Sequence, residues 1–190
     1  MARREGACLT FFWGVISFVI AQRLLELGIA ARNGKWMKAQ GAYEVGREHY
    51  KYIVLGHVGF FLSLILEVQL WHKGLPPWWA WLFAVFVLAQ VLRVWCISSL
   101  GKFWNTRIFV LPGVKVVTSG PYRFVRHPNY AVVIVEFVTL PLMFEAYFTA
   151  GLFTLLKIML LAVRIPLEEK ALQEATNYAQ VFGAKSRLIP

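Results

Sequence analysis

Long apolar runs alternate with short polar, basic connections along the whole chain, and this alternation decides its class before any motif is considered. The first run, residues 8–31, is long enough as helix to cross a hydrocarbon core about 30 Å thick at about 1.5 Å per residue. A cleavable signal peptide is the competing reading of this segment, with Arg3 and Arg4 as its basic start and Ala30-Ala31 as its small-residue site; Gln22, Arg23 and Glu26 interrupt the apolar stretch that reading needs. A basic connection follows at 32–51, and its Trp36, Tyr43 and Tyr50 suit a membrane interface. The second run, 52–71, ends in the turn His72-Lys73-Gly74-Leu75-Pro76-Pro77, where paired prolines stop helix propagation, and the third run occupies 78–100.

Residues 101–129 are polar and punctuated by Gly and Pro, and the β-branched stretch Val114-Lys115-Val116-Val117-Thr118 predicts extended backbone and turns at the membrane face. The last apolar block, 130–165, would measure roughly 54 Å as one helix, so it must fold back on itself. Pro141, Glu145 and Gly151 bracket the expected bend, and Pro166 marks the expected exit into a final polar helix. The pattern therefore predicts an all-α integral membrane protein with five transmembrane helices, the last two forming a C-terminal hairpin. Its two parts are 1–100, with three spans, and 101–190, with the polar loop, the hairpin and a tail helix.

Composition strengthens this reading. A chain of 190 residues with 58% hydrophobic content and eight Trp cannot hide that apolar surface in one soluble core. The net charge of +10 is clustered between apolar runs rather than along a solvated face, which suits anionic lipid headgroups and not nucleic acid. Arg32, Lys35, Lys38, Arg47 and Lys51 follow the first span, and Lys102, Arg107, Lys115, Arg123 and Arg126 follow the third; the other turns carry almost nothing basic. The positive-inside rule then expects both basic connections and the C-terminus in the cytoplasm, in a multi-pass protein of the cell membrane. Cys8 and Cys96 have no metal-ligand or disulfide spacing, and His57 and His72 have no second ligand, so no metal site is expected.

Two clusters can carry chemistry. Gly120-Pro121-Tyr122-Arg123-Phe124-Val125-Arg126-His127-Pro128-Asn129-Tyr130 gathers turn-formers, guanidinium groups, an imidazole and phenols at the mouth of the fourth span. Such a loop can present donors to an anionic or zwitterionic ligand, or it can simply anchor a helix in headgroups. Beyond the last span, Arg164 and Glu168 stand four residues apart and share a helix face, either as part of a site or as a solvated pair. Arg23, Glu26, Glu67, Arg93, Glu136 and Lys157 lie within apolar runs, where they either pair between helices or line a route for substrate, with Glu26 or Glu136 on its wall.

Taken together, Val116-Val117-Thr118-Ser119-Gly120-Pro121-Tyr122, Arg126-His127-Pro128-Asn129-Tyr130, and Arg164 with Glu168-Glu169 resemble the signature of the isoprenylcysteine carboxyl methyltransferase family. The resemblance covers 114–190, including the ending Tyr178 to Phe182-Gly183 and Leu188-Ile189-Pro190. It implies a membrane methyltransferase that binds S-adenosylmethionine in a pocket capped on the cytoplasmic side, with no Rossmann-type sheet. It further implies that Val114, Lys115, Val116, Val117 and Tyr122 border the adenosine, that His127, Pro128, Asn129 and Tyr130 hold the ribose and amino-acid portion, that Glu168 contacts the cofactor, and that Arg164 clamps the substrate. Position matching also puts Arg107 near the pocket. Gln22-Arg23-Leu24-Leu25-Glu26-Leu27 and Ala31-Arg32-Asn33 resemble short bacterial members that methylate other lipids, including long-chain alkylpyrones. The expected substrate is thus a lipophilic carboxylate or enolate, a small molecule or a lipidated one. A phospholipid N-methyltransferase, an NADPH-dependent sterol-type reductase and a non-catalytic scaffold remain the alternatives on this fold.

Overall fold

The computed structural model describes residues 2–71 and 74–188. His72, Lys73, Ile189 and Pro190 lie outside the described residues, as do the side chains of Arg3 and Arg4. Among the described residues, six α-helices and one pair of short strands follow in the order α1 Ala2–Ala39, β1 Tyr43–Val45, α2 Arg47–Leu70, α3 Trp79–Leu100, β2 Ile108–Val110, α4 Pro128–Leu142, α5 Tyr147–Ala175 and α6 Tyr178–Phe182.

Four of the described helices are long and apolar enough to cross a membrane: Cys8–Ala39, Arg47–Leu70, Trp79–Phe103 and Tyr147–Ala175. The fifth apolar segment, α4, has 15 residues and rises only about 22 Å, short of a hydrocarbon core of about 30 Å. None of its side chains is exposed. It is a central helix, walled by the core residues of α1, α2 and α3 on one side and packed on α5 on the other. This is where the structure departs from five equivalent spans.

Helix boundaries also move, for local reasons. The helix that starts before the first apolar run continues through Trp36 and Met37 and stops only where Gly41 adopts φ 93°, a conformation open to glycine. The hairpin turns at residues 143–146, with Glu145 at φ 56°, within the stretch bracketed by Pro141 and Gly151. Pro166 does not end α5. Its ring sits on the exposed face, so the helix loses one carbonyl partner there and runs on, which keeps Arg164 and Glu168 on the same inward side.

The stretch 114–118 forms neither helix nor paired strand, and the strand pairing among the described residues joins β1 and β2, antiparallel, with Tyr43 opposite Val110, Glu44 opposite Phe109 and Val45 opposite Ile108. This small ladder ties the connection after α1 to the connection after α3.

Inside the bundle Arg23, Glu26, Arg93 and Glu136 are paired. The Arg93 guanidinium donates to both Glu26 oxygens at 2.6 Å, and Arg23 donates to Glu136 at 2.7 and 2.8 Å and to Glu26 at 2.7 Å. Gln90 Nε2 adds a bond to Glu136 at 2.7 Å. These four charged groups form a neutral square joining α1, α3 and α4. Glu67 of α2 serves differently: its carboxylate accepts the backbone N–H groups of Phe148 and Thr149, at 3.1 and 2.8 Å, and the Thr149 hydroxyl at 2.7 Å. Those amides open α5 and have no partner within their own helix, and the negative charge also opposes the positive end of the helix dipole.

Glu136→Ala removes the acceptor of Arg23 and Gln90 from the centre of this square. The expected outcome is a loss of about 3–5 kcal/mol of unfolding free energy, read by thermal or denaturant unfolding in detergent together with the loss of a monodisperse elution peak. A variant as stable as the parent would show that the square contributes nothing to assembly.

Candidate functional site

The connections converge at the end of the bundle where α1, α3 and α5 finish and α4 begins. A tight turn at Gly120 starts the loop that leads into α4; Gly120 has φ 58°, and a Cβ there would stand 2.0 Å from Ser99 Oγ, so only glycine fits. Pro121 and Pro128 each occupy the first turn of a helical segment, where a missing N–H costs nothing. The loop is fastened to the C-terminal tail, since the Arg126 and His127 amides donate to the carbonyls of Ser186 and Arg187 at 3.0 and 2.8 Å.

The carboxylate of Glu169 gathers the loop and the tail. His127 Nε2 lies 3.2 Å from Glu169 Oε1, and the Tyr178 hydroxyl and Arg126 Nη1 each donate to the same oxygen at 3.3 Å. Arg187 donates to Glu169 Oε2 from Nη2 at 2.8 Å and from Nε at 3.1 Å. Burial, reinforced by the neighbouring Glu169 charge, holds the Tyr178 phenol above the ordinary phenol range; burial does the same for Tyr122. Both therefore remain hydroxyl donors across the working pH range.

Next to this cluster a second set of bonds crosses from α4 to α5. The ring of Tyr130 stacks on His127 with centroids 5.3 Å apart. Its hydroxyl donates to Glu168 Oε2 and accepts a bond from Arg164 Nε at 2.7 Å. Arg164 Nη2 donates to the Thr106 carbonyl at 2.8 Å. The guanidinium expected on the substrate side and the carboxylate expected on the cofactor side are thus joined through one phenol.

A cavity opens between these groups. Its walls include Val114, Lys115, Val116, Val117, Tyr122, His127, Asn129, Tyr130 and Glu168, so nine of the residues singled out in the sequence share one concavity. Pro128 and Arg164 are not in the wall: Pro128 forms the buried start of α4, and Arg164 stands behind Tyr130. Arg107 turns away altogether. It donates to Glu44 at 2.8 Å across the strand pair and lies over the Tyr50 ring at 4.5 Å, so its expected place near the pocket is corrected. Glu44 also raises the Arg107 pKa above its ordinary value, chiefly by accepting that hydrogen bond.

Other walls come from residues to which the sequence alone assigns no role in the site. Met37 of α1, Leu100 at the end of α3, and Phe103, Trp104, Asn105, Phe109 and Leu111 close the apolar side, while Leu172, Thr176, Tyr178 and Phe182 close the side towards the tail. Asn33 holds this apolar side in place by donating to the carbonyls of Gly101 and Trp104, at 3.0 and 2.7 Å. The extended segment 114–117 hangs from the end of α5 through Gly113 N–H to the Ala175 carbonyl and Val116 N–H to Asn177 Oδ1, both 2.9 Å. Asn129 Oδ1 is buried in the wall with no partner, an acceptor waiting for a donor from a ligand.

Comparison with known proteins places these elements in a lineage. Residues 81–174 match the isoprenylcysteine carboxyl methyltransferase (ICMT) family. The chain is similar to the uncharacterized protein YpbQ of Bacillus subtilis (strain 168), with 48% identity over 163 residues that cover 86% of this chain and 97% of that protein. It is also similar to an uncharacterized protein of Haemophilus influenzae (strain ATCC 51907 / DSM 11121 / KW20 / Rd), with 29% identity over 155 residues covering 81% and 90%.

Tyr130→Phe keeps the ring on His127 and removes only the hydroxyl shared by Arg164 and Glu168. Unfolding free energy is expected to fall by about 1.5–3 kcal/mol, the range for a hydrogen bond to a charged group, in denaturant titration of the detergent-solubilised protein. No change would mean that the two charges find other partners at once.

Proposed function

We propose, since this chain belongs to the isoprenylcysteine carboxyl methyltransferase family, that it is an S-adenosylmethionine-dependent O-methyltransferase of a lipophilic carboxylate or enolate. Family membership points to a methyltransferase in a multi-pass membrane protein. The observation that carries the finer reading is the buried, unpartnered Asn129 Oδ1 in a wall that it shares with the Glu168 carboxylate and with a large set of aromatic and aliphatic groups.

The residues fit that cofactor by chemistry. Two acceptors, Asn129 and Glu168, suit ribose hydroxyls or an ammonium, and the apolar wall of Trp104, Phe109, Val116 and Leu172 suits an adenine ring. Arg126, also in the wall, suits a carboxylate. When bound, the cofactor would supply an electrophilic methyl group to the acceptor oxygen, with the sulfonium sulfur keeping the electron pair of the C–S bond that breaks.

An anionic acceptor arrives already deprotonated, so the chain needs no general base. Arg164 has Nε on Tyr130 and Nη2 on Thr106, which fixes its plane and leaves Nη1 to orient the acceptor oxygen. Orientation of this kind is the main lever available to such a site, because holding reacting atoms about 3–3.5 Å apart can remove much of the barrier. Glu169, by fixing His127, Tyr178, Arg126 and Arg187 together, keeps water-accessible backbone closed over the cavity. The cavity lies at the same bundle end as the basic connections and the C-terminal tail, which supports a cytoplasmic orientation by the positive-inside rule.

Arg164→Lys replaces a planar fork with a point charge, and Glu168→Gln keeps shape while removing charge. Each is expected to lower turnover about 100-fold or more, as for loss of a positioned charged contact, with the elution profile unchanged and the thermal midpoint lowered no further than Tyr130→Phe lowers it. The assay is transfer of labelled methyl groups to extracted lipids; normal turnover in either variant removes that residue from the site. Mass spectrometry of the product separates an O-methyl ester or ether from an N-methyl amine, and absence of S-adenosylhomocysteine binding by calorimetry would leave the scaffold.

A further inference from the structure

The charged layer inside the bundle carries one cation more than its pairing uses. Arg23, Glu26, Arg93 and Glu136 neutralise each other. Lys157 of α5 is only 6% exposed, and among the described residues its ammonium has no hydrogen-bond partner and no carboxylate within 4.0 Å. It rests over the Phe137 ring, 5.3 Å from the centroid. A ring face returns only part of the hydration that an ammonium loses in an apolar layer.

The position of this cation is informative. Lys157, Leu161, Arg164 and Glu168 mark one inward stripe of α5, the stripe that ends in the cavity. Lys157 is two turns, about 10 Å, deeper in the bundle than Arg164. Beside Phe137 a void of about 10 Å³ is walled by Arg23, His57, Phe60 and Glu136, room for roughly one water molecule. A retained cation with no carboxylate within ion-pair distance, on the helix stripe that leads to Arg164, is explained if its counter-charge comes with the ligand.

We infer that Lys157 selects the acceptor: the ionised head of a single-chain amphiphile meets its ammonium within the bilayer-embedded part of the bundle before reaching Arg164. The inference rests on the methyltransferase reading for the role of Arg164, and it adds a residue which that reading does not use. Two cations in series along one helix favour a carboxylate or enolate over a neutral ester or alcohol of the same chain length.

The test uses the full chain in phosphatidylcholine nanodiscs with cis-parinaric acid and its methyl ester as fluorescent probes. The parent protein is expected to bind the acid about tenfold more tightly than the ester, and Lys157→Met to reduce that preference to about twofold or less. Lys157→Arg restores it. The thermal midpoint of the Met variant is expected to equal or exceed that of the parent, because a buried charge without a partner is removed. An unchanged preference for the acid overturns the inference, and so does a lowered midpoint or failure to fold, which would show that Lys157 is held by the protein itself. S-adenosylhomocysteine binding, measured in parallel, is expected to be the same in parent and variants; its absence from the parent would remove the methyltransferase reading, whereas the acid preference is scored without it.

Discussion

The geometry of the cavity depends on one carboxylate. Glu169 receives hydrogen bonds from three segments, the loop at Arg126 and His127 more than forty residues upstream, and α6 at Tyr178 and the tail at Arg187 shortly downstream. Each of those segments is short; α6 is also seated by Tyr178 and Phe182 in an apolar cluster with Cys96 and Tyr122, and the carboxylate ties the loop and the tail to it. A single anion surrounded by four donors places the His127 ring, which in turn stacks on and orients Tyr130. From Tyr130 the order passes to Arg164 and Glu168. The cluster is thus a hierarchy of constraints.

Farther into the bundle the same logic is applied to helix packing. Without a hydrophobic drive to associate in lipid, helices need specific contacts, and here the charged square and the Glu67 contact with the start of α5 provide them. Both fix α4 and α5 relative to the outer helices, and α4 and α5 carry most of the residues around the phenol bridge. The deep charges and the cavity are in this sense coupled through two helices, although only Lys157 lies on the stripe that leads from one to the other.

Much of the site was legible in the amino-acid sequence. His127, Asn129 and Tyr130 belong to one short motif whose turn-formers impose their own geometry, and Arg164 and Glu168 share a face by helical periodicity alone. Met37, Trp104 and Phe109 were not legible, because they reach the cavity through the extension of α1 and the β1–β2 ladder, and pairing between residues more than sixty positions apart leaves no local trace. Arg107 was misplaced for the same reason, since Glu44 lies across that ladder. The distinction between α4 and a span was hidden as well. A helix enclosed by apolar helices has the same composition as one enclosed by lipid, and only the turn at 143–146 reveals its length.

The enclosure of α4 has a mechanical consequence. A helix that touches the bilayer must tilt, bend or thin its surroundings when hydrophobic thickness varies, and it carries that adjustment into whatever it supports. α4 has no exposed side chain and packs between α3 and α5. The four longer helices meet mismatch between protein and membrane first, so the part of the cavity wall that α4 carries, Asn129 and Tyr130, is buffered from membrane thickness, while Glu168 on α5 is tied to it through the Tyr130 hydroxyl.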